Sequence, residues 1–146
     1  MLICGIGGEI GAAIIKYLIP RSKILISSSH SDISTLQKQD VIPDKNIHIP
    51  LNITQENNNI SFFMILKQKF GRLYVLINTI GRSLYTHSIE DFPLGELKEI
   101  LKVNLTTAFL LTKYAFRVIK ANKPRGENIV HFIFSSVRKI SPHKVP

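Results

Sequence analysis

The stretch CGIGGEIG, Cys4 to Gly11, sets Gly5, Gly7, Gly8 and Gly11 between a short apolar run and a segment of helical spacing. Few folds require that. Glycine has no Cβ, so backbone there can approach a ligand or a neighbouring strand closely. The free N–H groups and the dipole at a helix start favour an anion. A strand, a glycine turn and a helix in that order predict a pyrophosphate cradle. Gly11, one turn in, lets the helix pack close to the sheet. A glycine-rich turn with no ligand is the alternative. Glu9 also lies in this turn, and it is harmless to a bound anion if it points outward from the first helical turn.

The alternation continues along the chain. LICG reads as a strand, and EIGAAIIKYLI as a helix that stops at Pro20. Lys23–Ser27 is a second strand, followed by a weak helix, ISTLQKQ, capped by Ser31 or Asp32. NIHIP is a third strand, and QENNN a loop. NISFFMILKQKF is a helix with Phe63, Leu66 and Phe70 on one stripe, closed by Gly71. Leu73–Asn78 is a fourth strand. Leu97, Leu101, Leu105, Ala108, Leu111, Ala115 and Val118 mark one face of a long helix, and NIVHFIFSS is a fifth strand. This pattern predicts an α/β fold, a doubly wound parallel sheet of the Rossmann type with about five strands.

Composition narrows the functional classes. The chain of 146 residues is 45% hydrophobic and 20% charged, as in soluble globular proteins. No apolar run is long enough to cross a bilayer, so no membrane partner is expected. The net charge is +9, but the basic residues are scattered and form no block with interleaved aromatics. Nucleic-acid binding is therefore not the favoured reading. A single cysteine, Cys4, fits a reducing, cytoplasmic setting. It reads as a small apolar side chain, with a reactive thiolate at the helix terminus as the alternative. The five histidines show no metal-ligand spacing, so no metal is expected.

Five segments in order resemble the short-chain dehydrogenase/reductase family over essentially the whole chain. CGIGGEIG is similar to that family's glycine turn, with Gly5, Gly8 and Gly11 at the spacing Gly-x-x-Gly-x-x-Gly. LNIT resembles the Asp-Val-Thr segment after the third strand, with Asn52 where an aspartate contacts adenine. FGRLYVLINTIG resembles the fourth strand and its Asn-Asn-Ala-Gly turn; Asn78 and Gly81 match, Thr79 and Ile80 do not. LKVNLTTAFLLTKYAF resembles the long interface helix, with Asn104 at the tetrad asparagine. IVHFIFSS resembles the fifth strand, with Ser136 at the catalytic serine.

The resemblance implies an oxidoreductase that moves hydride between a nicotinamide dinucleotide and a small carbonyl or alcohol. It implies Ser136 polarising the substrate oxygen and the Asn104 backbone helping to hold a relay water. It implies Gly5, Gly8 and Gly11 at the pyrophosphate, and Asn78 with Gly81 lining the cleft. A homo-oligomer through the long helix at 95–121 is implied as well. Ser28 or Ser29 stands where NAD-preferring folds carry an acid for the ribose hydroxyl. NADP is therefore favoured over NAD. The family's Tyr-x-x-x-Lys is missing: Tyr17, Tyr74, Tyr85 and Tyr114 are followed four residues on by Arg21, Asn78, Ile89 and Val118. A tyrosine needs such a cation to act near neutrality. The chain is thus expected to be one incomplete dinucleotide-binding domain, 1–146, inactive alone and a fragment of a longer enzyme. A non-catalytic nucleotide-binding or interaction module, pairing through its fifth strand, is the second expectation.

Overall fold

The computed structural model describes residues 1–22, 26–29, 34, 47–82, 88, 90–122 and 127–133. Within these, β1 (Leu2–Cys4), β2 (Ile26–Ser29), β3 (Ile47–Pro50), β4 (Val75–Asn78) and β5 (Asn128–His131) form one sheet. Every pairing is parallel and the order is β3-β2-β1-β4-β5. The helices are α1 (Glu9–Leu18), α2 (Glu56–Phe70), α3 (Leu94–Leu101) and α4 (Thr107–Ile119). A π-helical turn, Lys102–Thr106, joins the last two. This is the doubly wound arrangement that the alternation predicts. The chain winds outward from β1 to β3, then returns across β1 to β4, so a crevice opens where the winding reverses.

The apolar character of β1 and β4 follows from cover on both faces. Leu2, Cys4 and Leu76 pack with Phe62, Phe63 and Leu66 of α2 and with Leu111 and Ala115 of α4. Ile3 and Ile77 point the other way, against Ile15 of α1. Period-two alternation along each strand thus feeds two separate cores. Pro20 ends α1 in a short 3₁₀ turn, where Arg21 donates to the Tyr17 carbonyl at 2.7 Å and stacks on its ring. Gly71, at φ +70°, closes α2 as expected, its N–H donating to the Lys67 carbonyl.

Three expectations need correction. First, α2 starts at Glu56, so the asparagines read as loop form its first turn. Their side chains secure the chain entering it: Asn58 donates to the Asn52 carbonyl, and Asn59 to the carbonyls of Ile53 and Gln55. Second, β2 runs through Ser29. Third, Leu101 and Leu105 do not face the core but lie exposed. Ile100, Thr107, Leu110, Leu111, Tyr114, Ala115 and Val118 are buried instead. Thr107 takes a core position because its hydroxyl donates to the Lys102 carbonyl across the π turn, at 3.1 Å.

Lys23–Leu25, the weak helix at Ile33–Gln39 apart from Ser34, and the end of the fifth strand at Phe134–Ser136 lie outside the described residues. Among the described residues no helix is long and apolar enough to cross a membrane.

Candidate functional site

The C-terminal ends of β1 and β4 open into a cavity of about 330 Å³. Gly5, Gly7 and Gly8 form one wall, and Thr79, Ile80 and Gly81 the opposite one. Ser29 stands at the end of β2, Thr54 after β3, and Val103 and Thr107 on the long helix.

The glycines of the first wall have different reasons to be glycine. Gly5 sits at φ +92°, and a Cβ there would lie 2.8 Å from the Ile80 nitrogen. A Cβ on Gly11 would lie 2.4 Å from the Gly5 carbonyl oxygen. Both are demanded by the fold itself. Gly8 is not. Its φ of −94° and ψ of 161° suit any residue. A Cβ on it would meet only the Gly5 oxygen, at an ordinary 3.7 Å. Gly8 borders the cavity and is the N-cap of α1, yet supplies no side-chain cap. The first N–H groups of α1 therefore stay available to an anion, at the positive end of the dipole. Glu9 is exposed and does not line the cavity, so among the described residues no carboxylate borders the cradle.

The second wall is held by side chains. Thr79 donates to the Cys4 carbonyl through both its N–H, at 3.0 Å, and its hydroxyl, at 2.9 Å. Asn78 is buried, and its Oδ1 accepts the Ile80 N–H at 3.0 Å. Its amide nitrogen meets His131 Nδ1 at 3.1 Å. Further on, Asn104 grips Arg82 twice: Oδ1 accepts the Arg82 N–H and Nδ2 donates to the Arg82 carbonyl, each at 2.8 Å. Asn104 lies on the π turn, an insertion often found at functional sites.

Of the residues expected from sequence, Gly5, Gly8, Ser29 and Gly81 line the cavity. Gly11 packs beneath it. Asn78 acts on the wall through Ile80 and does not itself line it. Ser28 is fully buried, on the same strand face as Ile26, and its hydroxyl has no partner among the described residues. Asn52 is also outside the lining, and its Oδ1 accepts the Thr54 N–H and hydroxyl at 3.1 and 2.6 Å. Ser136 lies outside the described residues. The thiol of Cys4 is fully buried, and burial pushes its pKa up, so the reactive-thiolate alternative fails. Sequence reasoning missed Thr54, Thr79 and Thr107. Each is a small hydroxyl residue next to an assigned motif, but a threonine alone carries no signal of which way it points.

The comparisons with known proteins agree with this fold. Residues 1–141 match the family described as short chain dehydrogenase. Over 72 residues the chain is 31% identical to an uncharacterized oxidoreductase, YxjF, of Bacillus subtilis, covering 49% of this chain and 28% of that protein. It is 27% identical over 115 residues to an uncharacterized short-chain type dehydrogenase/reductase, y4vI, of Sinorhizobium fredii, covering 79% of this chain and 21% of the relative. A short-chain dehydrogenase from Leptospira borgpetersenii, solved with bound NAD+, superposes with a TM-score of 0.83 at 28% identity. That match covers 96% of this chain and 53% of the solved one. The chain therefore spans about half the length of that structure, and less of the two sequence relatives.

Proposed function

This chain belongs to the short-chain dehydrogenase family, and on that footing we propose that its cavity holds a nicotinamide dinucleotide. The observation that carries the reading is Gly8. Neither its backbone angles nor its packing asks for glycine, whereas a pyrophosphate at the uncapped start of α1 would. Gly5, Gly7 and Gly8 would receive the pyrophosphate, and Ser29 would face the ribose. Thr79, Ile80 and Gly81 would bound the other side. When bound, the nicotinamide supplies or accepts a hydride. The residues of this chain bind and orient it.

We assign the reaction class as hydride exchange with a small carbonyl or alcohol, with Ser136 polarising the substrate oxygen and Asn104 near the relay. The described part of β2 ends in serines and not in a carboxylate, which supports NADP over NAD. The chain as given lacks Tyr-x-x-x-Lys, so it is expected to be inactive alone. Leu101, Leu105, Phe109 and Phe116 leave an exposed apolar stripe along the long helix, which supports a homo-oligomer formed there. A cytoplasmic location belongs to the same reading, supported by the single, buried cysteine.

The test is titration of the purified chain with NADPH and NADH, beside Gly8→Val. The wild-type chain should bind NADPH more tightly than NADH. Gly8→Val should keep its circular dichroism and lose only about 1 kcal/mol of stability at the N-cap, but lose binding by at least about tenfold, roughly 1.4 kcal/mol. Unchanged binding in a folded Gly8→Val protein would remove the dinucleotide from this cradle.

A further inference from the structure

His131 is the one titratable side chain of β5, and it touches two elements at once. Its Nδ1 lies 3.1 Å from the Asn78 amide nitrogen, and its Nε2 lies 2.9 Å from the Thr112 hydroxyl. The protons in this chain can be placed by elimination, because both ends are fixed. The Ile80 N–H can only donate, so the Asn78 oxygen must face it and the Asn78 NH₂ must face His131. At the other end, Thr112 donates its hydroxyl proton to the Ala108 carbonyl at 2.8 Å, which can only accept. Thr112 is therefore left as the acceptor for His131. The imidazole must carry its proton on Nε2 and keep a lone pair on Nδ1.

We propose that His131 is a positioning residue for the cofactor cleft: as the neutral Nε2–H tautomer it holds the Asn78 amide against the Ile80 N–H, and its protonation releases that wall. A second proton would sit on Nδ1 and point at the Asn78 NH₂, donor against donor. Turning the amide repairs this contact but takes the oxygen away from Ile80. Ile80 lines the cavity, and a Cβ on Gly5 would lie 2.8 Å from its nitrogen, so the two turns pack closely beside it. A released Ile80 therefore disturbs both walls.

The surroundings favour the neutral ring. Burial lowers the pKa of His131 from its ordinary value. β4 carries no titratable side chain between Val75 and Asn78. On α4, Lys113 is drawn to Glu56 at 2.8 Å and Arg117 lies over the Tyr114 ring. The folded pKa is depressed, so the arrangement is complete above the ordinary histidine value and is lost as pH falls through the folded one. The consequence for ligand affinity rests on the dinucleotide reading; the proton placement does not.

The experiment is a ¹⁵N–¹H NMR pH titration of the full chain without ligand, followed by NADPH titrations at neutral and acidic pH. The expected result is an Nε2–H tautomer at neutral pH, with the Ile80 amide shifting at the midpoint of His131. In His131→Gln, the side-chain amide can accept from Asn78 and donate to Thr112 without titrating, so the Ile80 shift should vanish while its neutral-pH position stays. Thr112→Val removes the acceptor at Nε2 but leaves the Asn78 NH₂ facing Nδ1, so the Nε2–H tautomer should persist there. NADPH affinity should weaken on acidification in the wild type and hold in His131→Gln. An Nδ1–H tautomer, an Ile80 amide indifferent to His131, or an acid shift that survives His131→Gln would each overturn the proposal. Absence of NADPH binding at every pH would refute the dinucleotide reading alone, since the NMR titration still decides the role of His131.

Discussion

The two walls of the cavity are built by opposite means. The turn after β1 is shaped by what is missing, since Gly5 and Gly11 leave room for backbone atoms to approach within distances that a Cβ would fill. The turn after β4 is shaped by what is present. Asn78, Thr79 and Asn104 pin its backbone with side-chain hydrogen bonds. The two meet where the Cys4 carbonyl accepts Thr79, so one wall is braced against the other. Steric walls fail abruptly, because a backbone clash has nowhere to go. Hydrogen-bonded walls fail in increments, one bond at a time.

The sharpest way to break that contrast is Gly11→Ala. The added methyl meets the Gly5 oxygen and the Ile6 Cα, both backbone atoms that cannot swing aside. Overpacking typically costs about 1–3 kcal/mol, and this site belongs at or beyond the upper end, at about 3 kcal/mol or more. Urea unfolding measures it. Gly8→Ala, three residues away, should stay within about 1 kcal/mol of wild type. Similar losses in both variants would mean that Gly8 is structural too, and would withdraw the main support for the ligand.

On the hydrogen-bonded side, Asn104→Ala removes two bonds to Arg82 and should cost about 1–2 kcal/mol. Hydrogen exchange at the Arg82 amide should quicken, while the Gly5 amide, which donates to the Ser28 carbonyl, stays protected. Loss of protection at both amides would show that the walls open as one unit. Thr79→Val keeps the shape and deletes one hydroxyl, with the Thr79 N–H still on Cys4. A loss of about 1 kcal/mol is expected. A loss as large as that of Gly11→Ala would place Thr79 among the steric elements.

The same contrast explains what the sequence made legible. The glycine turn was readable because small residues at fixed spacing beside a strand have few other uses. The doubly wound parallel sheet followed from alternation and the handedness of crossovers. The second wall was not readable, because its partners are far apart in the chain: Thr79 with Cys4, Asn78 with His131, Asn104 with Arg82. Asn52 shows the limit from the other side. Its position points to adenine, and its spacing does not show that Thr54, two residues on, takes its Oδ1 and leaves the amide NH₂ as the group for a base. The long helix misled for a related reason. Leucine spacing points to the core, yet Thr107, satisfied by the π turn, holds the buried position and leaves Leu105 65% exposed.

The smallest expected effect lies away from both walls and serves as their control. Glu56 Oε1 on α2 accepts Lys113 Nζ at 2.8 Å and the Tyr114 hydroxyl at 2.7 Å, tying α2 to α4. The hydrogen bond from Lys113, then that from Tyr114, holds the Glu56 carboxyl below its ordinary range, and the same bond raises Lys113. A depressed carboxylate gives stability that is present above its unfolded pKa and lost as pH falls through the folded one. The raised Lys113 gives stability that is present below its unfolded pKa and lost as pH rises through the folded one. Wild type should therefore lose slightly more stability than Glu56→Gln on acidification below the ordinary glutamate range. The effect is small because the pair is solvent-screened, and it should shrink further in high salt. The titration of His131 is common to both proteins and drops out of the difference. Dinucleotide affinity at neutral pH should be the same in both, since Glu56 touches neither turn. A changed affinity in Glu56→Gln would mean that the spacing of α2 and α4 also sets the width of the cleft, through Thr107, and that two walls are too few to describe it.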